Sequence, residues 1–164
     1  MQNSTYDYNR IKAELNDIIF SLADNKADKI CIFGAGKRGI KLCKELHSRF
    51  VNVSFFCDNG SEKIGANIDG VKIIAFDELM KQKDETIVII SVADGAAVSS
   101  QLSEAAFPYV YQMSDIQRIY SDIPPIKWLK EFDGKIDYTD ENTIKLINVF
   151  KRTILDICSY YENI

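Results

Sequence analysis

Lys29-Ile30-Cys31-Ile32-Phe33-Gly34-Ala35-Gly36-Lys37-Arg38-Gly39 is a short apolar run that ends in a glycine-rich turn and opens onto a helical pattern. The glycines are spaced G-x-G-x-x-G, and in a strand–turn–helix unit each has its own physical task. Gly34 permits the tight turn leaving the strand, and Gly36 lets the backbone approach a phosphate with no Cβ in the way. Gly39 lets the new helix pack closely on the strand just left. A helix that starts here offers free N–H groups and the positive end of its dipole, and both attract a diphosphate.

Working outward, the helix is expected from about residue 36 to 49, with Ile40, Cys43, Leu46 and Phe50 on its apolar side. A second strand is read from Val51 to Cys57. Asp58 then stands 22 residues beyond Gly36, about where an acid accepts hydrogen bonds from a ribose hydroxyl. Asp58-Asn59-Gly60 also suits a plain turn, and the two roles are compatible. A carboxylate here repels a 2′-phosphate and favours NAD over NADP, a preference that nearby Lys63 weakens.

Two glycine-bearing turns, Lys63-Ile64-Gly65 and Ile68-Asp69-Gly70-Val71, lead into a third strand from Val71 to Ala75. A short helix is expected over residues 76 to 83. Thr86 to Val92 is a continuous apolar run, as expected of a central parallel strand covered on both faces. Asp94 suits the cap of a helix from near Gly95 to about Ala106, and residues 108 to 111 read as a short fifth strand. The alternation predicts an α/β fold, a Rossmann-like doubly wound parallel sheet with strand order 3-2-1-4-5 and extra N- and C-terminal helices.

Those extra helices flank the core. Residues 6 to 23 carry Ile11, Leu15, Ile18, Ile19 and Leu22 at helical spacing. After the break at Ile123-Pro124-Pro125-Ile126, a long helix is expected from about residue 139 to 161. It carries Ile144, Ile147, Phe150, Ile154 and Ile157 on one side, with Leu146, Val149 and Leu155 widening the apolar surface. Such a face requires a large partner, either the chain's own sheet or a second copy. The expected division is residues 1–28 as an N-terminal helix packed on the domain, 29–112 as the nucleotide-binding core, and 113–164 as a helical extension that dimerises.

The 164 residues suit one domain, and 46% hydrophobic with 27% charged residues is an ordinary globular composition. A formal net charge of −4 argues against a nucleic-acid surface, which is usually basic. The sequence has no apolar stretch approaching the roughly 18 residues of a membrane span. Its N-terminus has no secretory pattern, so a cytoplasmic location is expected. Cys31, Cys43, Cys57 and Cys158 fall on apolar positions and read as reduced, buried thiols. With no C-x-x-C pair and a single histidine, His47, no metal site is expected. His47 itself reads as a surface or packing residue.

The motif order Ile32 to Gly39, then Phe56-Cys57-Asp58-Asn59, then Lys63-Ile64-Gly65, then Ile68-Asp69-Gly70-Val71 resembles the CoA-binding-like, NAD-binding Rossmann superfamily. It is similar to two branches: the nucleotide-binding module of bacterial surface-polysaccharide and nucleotide-sugar proteins, and the NAD(H)-binding domain of redox-sensing repressors. The resemblance spans residues 29 to about 112. It implies that Gly34, Ala35, Gly36, Lys37, Arg38 and Gly39 hold a diphosphate and that Asp58 and Asn59 meet a ribose or base. Ser91, Val92 and Ala93, at the end of the fourth strand, would line the rest of the groove, as the switch-point rule also expects.

The implied ligand is NAD, with a nucleotide-diphosphate sugar or CoA as alternatives, and the implied setting is polysaccharide or nucleotide-sugar metabolism. The chain departs from both branches: residues 1–28 are too short for the repressors' winged helix, and residues 113–164 lack the acetyltransferases' hexapeptide repeat. A methyltransferase reading is weaker, because an acid is expected at the end of strand one where Ile32-Phe33 stand. Tyr8 and Lys12 have the Tyr-x-x-x-Lys spacing of short-chain dehydrogenases, but they precede the glycine turn and are read as coincidence.

No catalytic residue is assigned. The alternatives to a binding module are a small NAD-dependent sugar-nucleotide dehydrogenase or epimerase, and a dimeric interaction protein with a vestigial pocket. The expected partners are a small nucleotide and a second copy through the terminal helices, with no nucleic acid and no membrane span.

Overall fold

The computed structural model describes residues 16–121. The expected helix over residues 139 to 161, the Pro124-Pro125 break, Cys158 and the first part of the N-terminal helix lie outside the described residues. The surfaces through which a dimer is expected lie largely on those same residues.

The core begins with β1 (Lys29–Phe33), followed by α1 (Lys37–His47) and β2 (Phe55–Cys57). A hairpin of β3 (Asn67–Ile68) and β4 (Val71–Ile74) comes next, then α2 (Phe76–Met80) and a 3₁₀ turn at Lys83–Glu85. The chain continues through β5 (Thr86–Ile90), α3 (Ala96–Glu104), β6 (Val110–Gln112) and α4 (Met113–Tyr120). The sheet order is β3-β4-β2-β1-β5-β6. Its parallel strands, taken in chain order, follow the expected 3-2-1-4-5. β3 is the single antiparallel member, paired to β4 with Asn67 opposite Lys72.

β1 is central because both its edges are used. Cys31 pairs with Phe55 on one side and with Val88 on the other. Alternate side chains then enter two cores. One face buries Ile30, Ile32, Phe56, Ile87 and Ile89 with Leu42 and Leu46 of α1, Ile116 of α4, and Ile18 and Ile19 from the helical residues 16–21. The opposite face buries Cys31, Phe33, Cys57, Val88 and Ile90 with Leu79 of α2 and Val98 and Leu102 of α3. Covering both faces is why Thr86–Ile90 is buried at every position and reads as an unbroken apolar run.

Some element ends differ from expectation. β2 starts at Phe55 rather than at residue 51; just before it, the Ser54 N–H donates to the Ile30 carbonyl at 2.9 Å while the Ile30 N–H donates to Ser54 Oγ at 3.1 Å, so a side-chain oxygen takes one of the acceptor places of a regular ladder. Before it, the Val51 N–H closes on the Leu46 carbonyl at 3.0 Å, a helix-ending bond made with Phe50 in the left-handed region at φ +59°. Ile68, expected only in the turn before the third strand, also pairs, opposite Val71. Asp69 and Gly70 both take positive φ, 49° and 84°, which is the hairpin turn that matches strand twist. No helix among the described residues is long and apolar enough to cross a membrane.

Candidate functional site

The glycine turn lies where β1 ends between β2 and β5, so the loops after all three strands meet at one crevice. This is the topological switch point of the sheet. Gly34 leaves β1 at φ +111°, and its N–H donates to the Cys57 carbonyl at 2.8 Å. A Cβ on Gly34 would stand 2.7 Å from Val92 Cγ1 and 2.9 Å from Ser91 Oγ. One on Gly39 would stand 1.9 Å from the Gly34 carbonyl oxygen. Both glycines are therefore required by packing of the turn against β5 and α1.

Gly36 is different. It is the N-cap of α1 with φ −97° and ψ −171°, a conformation open to any residue, and a Cβ built there meets nothing within 4 Å. No side chain caps the helix, its first turn holds no acidic residue, and Gly36, Lys37 and Arg38 are exposed. Among the described residues the N–H groups of Lys37, Arg38 and Gly39 have no acceptor, the usual state of donors in a first helical turn. The turn therefore presents backbone donors, two cations and clear space together.

Asp58 closes the other side. Its Oδ2 accepts from the Ala35 N–H at 2.8 Å and from Lys63 Nζ at 3.0 Å, while Oδ1 accepts from the Gly60 N–H at 2.8 Å. Burial alone pushes this carboxyl up, but the N–H groups of Gly60 and Ala35 and the Lys63 ammonium outweigh it and hold it below the usual range. Asp58 is thus a charged latch between the end of β2 and the glycine turn. The ribose role assigned to it shares the carboxylate with three donors.

The other expected residues are distributed around this latch. Asn59 is exposed and exchanges amide hydrogen bonds with Gln101 of α3. Ser91 lies beneath the turn, 2% exposed, with its hydroxyl 3.0 Å from both the Phe33 and Gly34 carbonyl oxygens. It supports the loop from below. Val92 packs against Gly34 and is half-buried, while Ala93 is exposed at the crevice rim. Asp94 Oδ1 accepts the Ala96 N–H at 3.3 Å at the start of α3.

His47 sits against Cys43, with its ring nitrogens 3.8 and 3.9 Å from Sγ. Cys31, Cys43 and Cys57 are free and buried. Among the described residues no group of three or more His, Cys, Asp or Glu side chains is placed to hold a metal. Gln101 was not legible as a site residue, because one polar side chain on a helix has no spacing that sets it apart.

Residues 26–108 match the C2185-like, N-terminal family, a span of about half the chain. The chain belongs to that family. No curated protein matches it. Solved structures similar to this C2185-like chain include RSP, a Rex-family repressor, at 20% identity and TM-score 0.44, covering 57% of this chain and 47% of that one. RSP in complex with β-NADH is similar at 18% identity and TM-score 0.43, covering 64% and 51%. The chain thus spans about half the length of these two. UDP-D-quinovosamine 4-dehydrogenase from Vibrio fischeri is similar at 20% identity and TM-score 0.44, covering 68% of this chain and 88% of that one.

One expectation is corrected. Nucleic acid was set aside on net charge, yet the similar structures include RSP in complex with β-NAD+ and operator DNA, at 17% identity and TM-score 0.42, covering 77% of this chain and 67% of that one. The physical reason is that a net charge of −4 sums the whole chain and describes no single face. On this C2185-like chain Lys37, Arg38, Lys41 and Lys44 all stand exposed along α1. A groove of about 610 Å³ on that helix is lined by Lys37, Lys41, Lys44 and Arg49 among others, and it shares only Lys37 with the glycine turn.

Proposed function

We propose that the chain is a nucleotide-binding Rossmann-like unit that takes the diphosphate of NAD(H) or of a nucleotide-diphosphate sugar on residues 34–39, in surface-polysaccharide or nucleotide-sugar metabolism. The observation that carries this reading is Gly36, a glycine for which the fold has no need. Its backbone is extended and its surroundings are empty, so the absent Cβ leaves room for a group that comes from outside. A diphosphate fits the space by charge and by donors: uncommitted N–H groups, the α1 dipole, Lys37 and Arg38.

Binding, rather than a reaction, is what these residues support. The Asp58 carboxylate is held charged by its donors and is poorly suited to carry a proton at neutral pH. It disfavours a 2′-phosphate, while Lys63 at 3.0 Å offsets part of that repulsion. NAD is therefore the preferred dinucleotide over NADP by a modest margin.

Thermal denaturation with NAD, NADH, NADP, a UDP-sugar and CoA tests the reading. A ligand at about 100 times its Kd stabilises the native state by about 2.7 kcal/mol, a shift of several degrees. A shift with at least one of these nucleotides is expected. Unchanged melting with all of them would remove the reading.

A further inference from the structure

We propose that Ser91 is a positioning residue for the anion site: its buried hydroxyl fixes which way the Gly34–Ala35 peptide faces and so aims the first N–H groups of α1 at the ligand. This role rests on the diphosphate reading above and adds to it the residue that keeps the turn ready to bind.

The peptide between Gly34 and Ala35 is gripped at both ends. Its carbonyl oxygen lies 3.0 Å from Ser91 Oγ, and its N–H donates to Asp58 Oδ2 at 2.8 Å. Asp58 follows β2 and Ser91 follows β5, so the grip comes from the two strands that flank β1. The hydroxyl has one proton for two carbonyls within reach. The Phe33 carbonyl already accepts the Ser91 N–H at 3.0 Å, whereas among the described residues no backbone N–H donates to the Gly34 carbonyl. The proton is therefore needed at Gly34.

Core packing does not account for this side chain. Among the described residues the buried polar side chains are Thr86 and Ser91, at either end of the apolar run of β5. Thr86 closes a turn by donating to the Gln82 carbonyl at 2.7 Å. At position 91 an alanine would leave no polar atom to bury, so what the serine adds is a donor for the glycine turn.

Orientation matters because Gly34 permits the alternative. Glycine accepts either sign of φ, so turning the 34–35 peptide over is open to this segment. Turned over, it would bring a carbonyl oxygen against the Asp58 carboxylate and take the Ala35 N–H off it. As held, the Gly34 oxygen lies under α1, where a Cβ on Gly39 would come within 1.9 Å of it and within 2.8 Å of Ser91 Oγ. The start of α1 is thus seated on the contact between Ser91 and Gly34, and the N–H groups of Lys37, Arg38 and Gly39 take their direction from it. Donors set before the ligand arrives lower the ordering cost of binding.

The test is calorimetric titration of inorganic pyrophosphate and of ADP into the full chain and into Ser91→Ala, at a temperature where both are folded, together with amide hydrogen exchange without ligand. Ser91→Ala should bind both anions about five-fold more weakly, by the same factor, as a turn ready to bind about one-fifth of the time would. Ala35 exchange should rise at least about ten-fold more than exchange at Ile32 inside β1, which reports overall destabilisation. In wild type the Ala35 N–H should already exchange at least about ten-fold more slowly than that of Lys37. Unchanged affinity in the folded variant would reduce Ser91 to packing and overturn the proposal, with the diphosphate reading intact. Wild-type Ala35 exchanging as fast as Lys37 would overturn it in the same way, with no variant needed. A wild type that binds neither anion would overturn both.

Discussion

Ala35 donates its N–H to Asp58 Oδ2 at 2.8 Å, tying the end of β2 to the turn at the end of β1. With Lys63 and Gly60 on the same carboxylate, one side chain sets the shape of the crevice on its β2 side. The latch is largely shielded, with the Asp58 side chain only 13% exposed. Hydrogen bonds to a shielded charge are among the stronger kind.

Asp58→Asn places an NH₂ group against donors that need an acceptor. Leaving such donors unpaired costs about 2 kcal/mol. Urea denaturation should show a loss of that order with an unchanged m-value. A loss below about 0.5 kcal/mol would mean the latch is not formed in solution.

The same carboxylate fixes the acid limb of stability. Its folded-state pKa is lowered, so its contribution is complete above the unfolded value of about 3.9 and is lost as pH falls through the lower folded value. Between about pH 5 and pH 2.5, wild type should lose stability more steeply than Asp58→Asn. Parallel acid limbs would contradict the assignment.

Gly39→Ala tests the packing role of the third glycine. Its Cβ would lie 1.9 Å from the Gly34 carbonyl oxygen, a backbone atom that moves only with the turn itself. A loss of about 3 kcal/mol or more is expected from such overpacking, read as a large drop in melting temperature. An unchanged melting temperature would mean that α1 does not pack on the turn as described.

Thiol chemistry reports on the two cores. Burial pushes the Cys43 thiol up to about 11, aided by Asp69 and opposed by Lys44, and pushes Cys57 up to about 12, aided by Asp58. At neutral pH neither holds appreciable thiolate, the form that reacts. Peptide mapping after iodoacetamide treatment should show both labelled at least about ten-fold more slowly in native protein than in urea. Equal rates would place them outside the cores.

The sheet was legible because parallel strands covered on both faces leave continuous apolar runs. Ile30–Phe33 and Thr86–Ile90 are such runs, and the glycine turn fixed where the first of them stops. β3 was not legible: its two residues pair because Asp69 and Gly70 both turn left-handed, which alternation of apolar residues does not encode. The early residues of the second expected strand differ because Val51 and Val53 are buried without joining the sheet: the Val51 N–H closes the end of α1 on Leu46, and the ladder with β1 starts only at Phe55. The candidate site divides in the same way. Spacing found Gly36 and Asp58, but only three-dimensional contacts reveal that Asp58 is committed to Ala35, Gly60 and Lys63 and that Asn59 faces Gln101.

The most direct test is nucleotide affinity and melting temperature measured together on Gly36→Ser. Serine is a strong N-cap residue, and its Oγ would accept an N–H from the first turn of α1, one of the donors a phosphate needs. The account predicts a melting temperature equal to or slightly above wild type, with affinity for NAD or ADP reduced at least about ten-fold. Undiminished affinity at an unchanged melting temperature would contradict it, because the empty space at Gly36 would then serve no ligand.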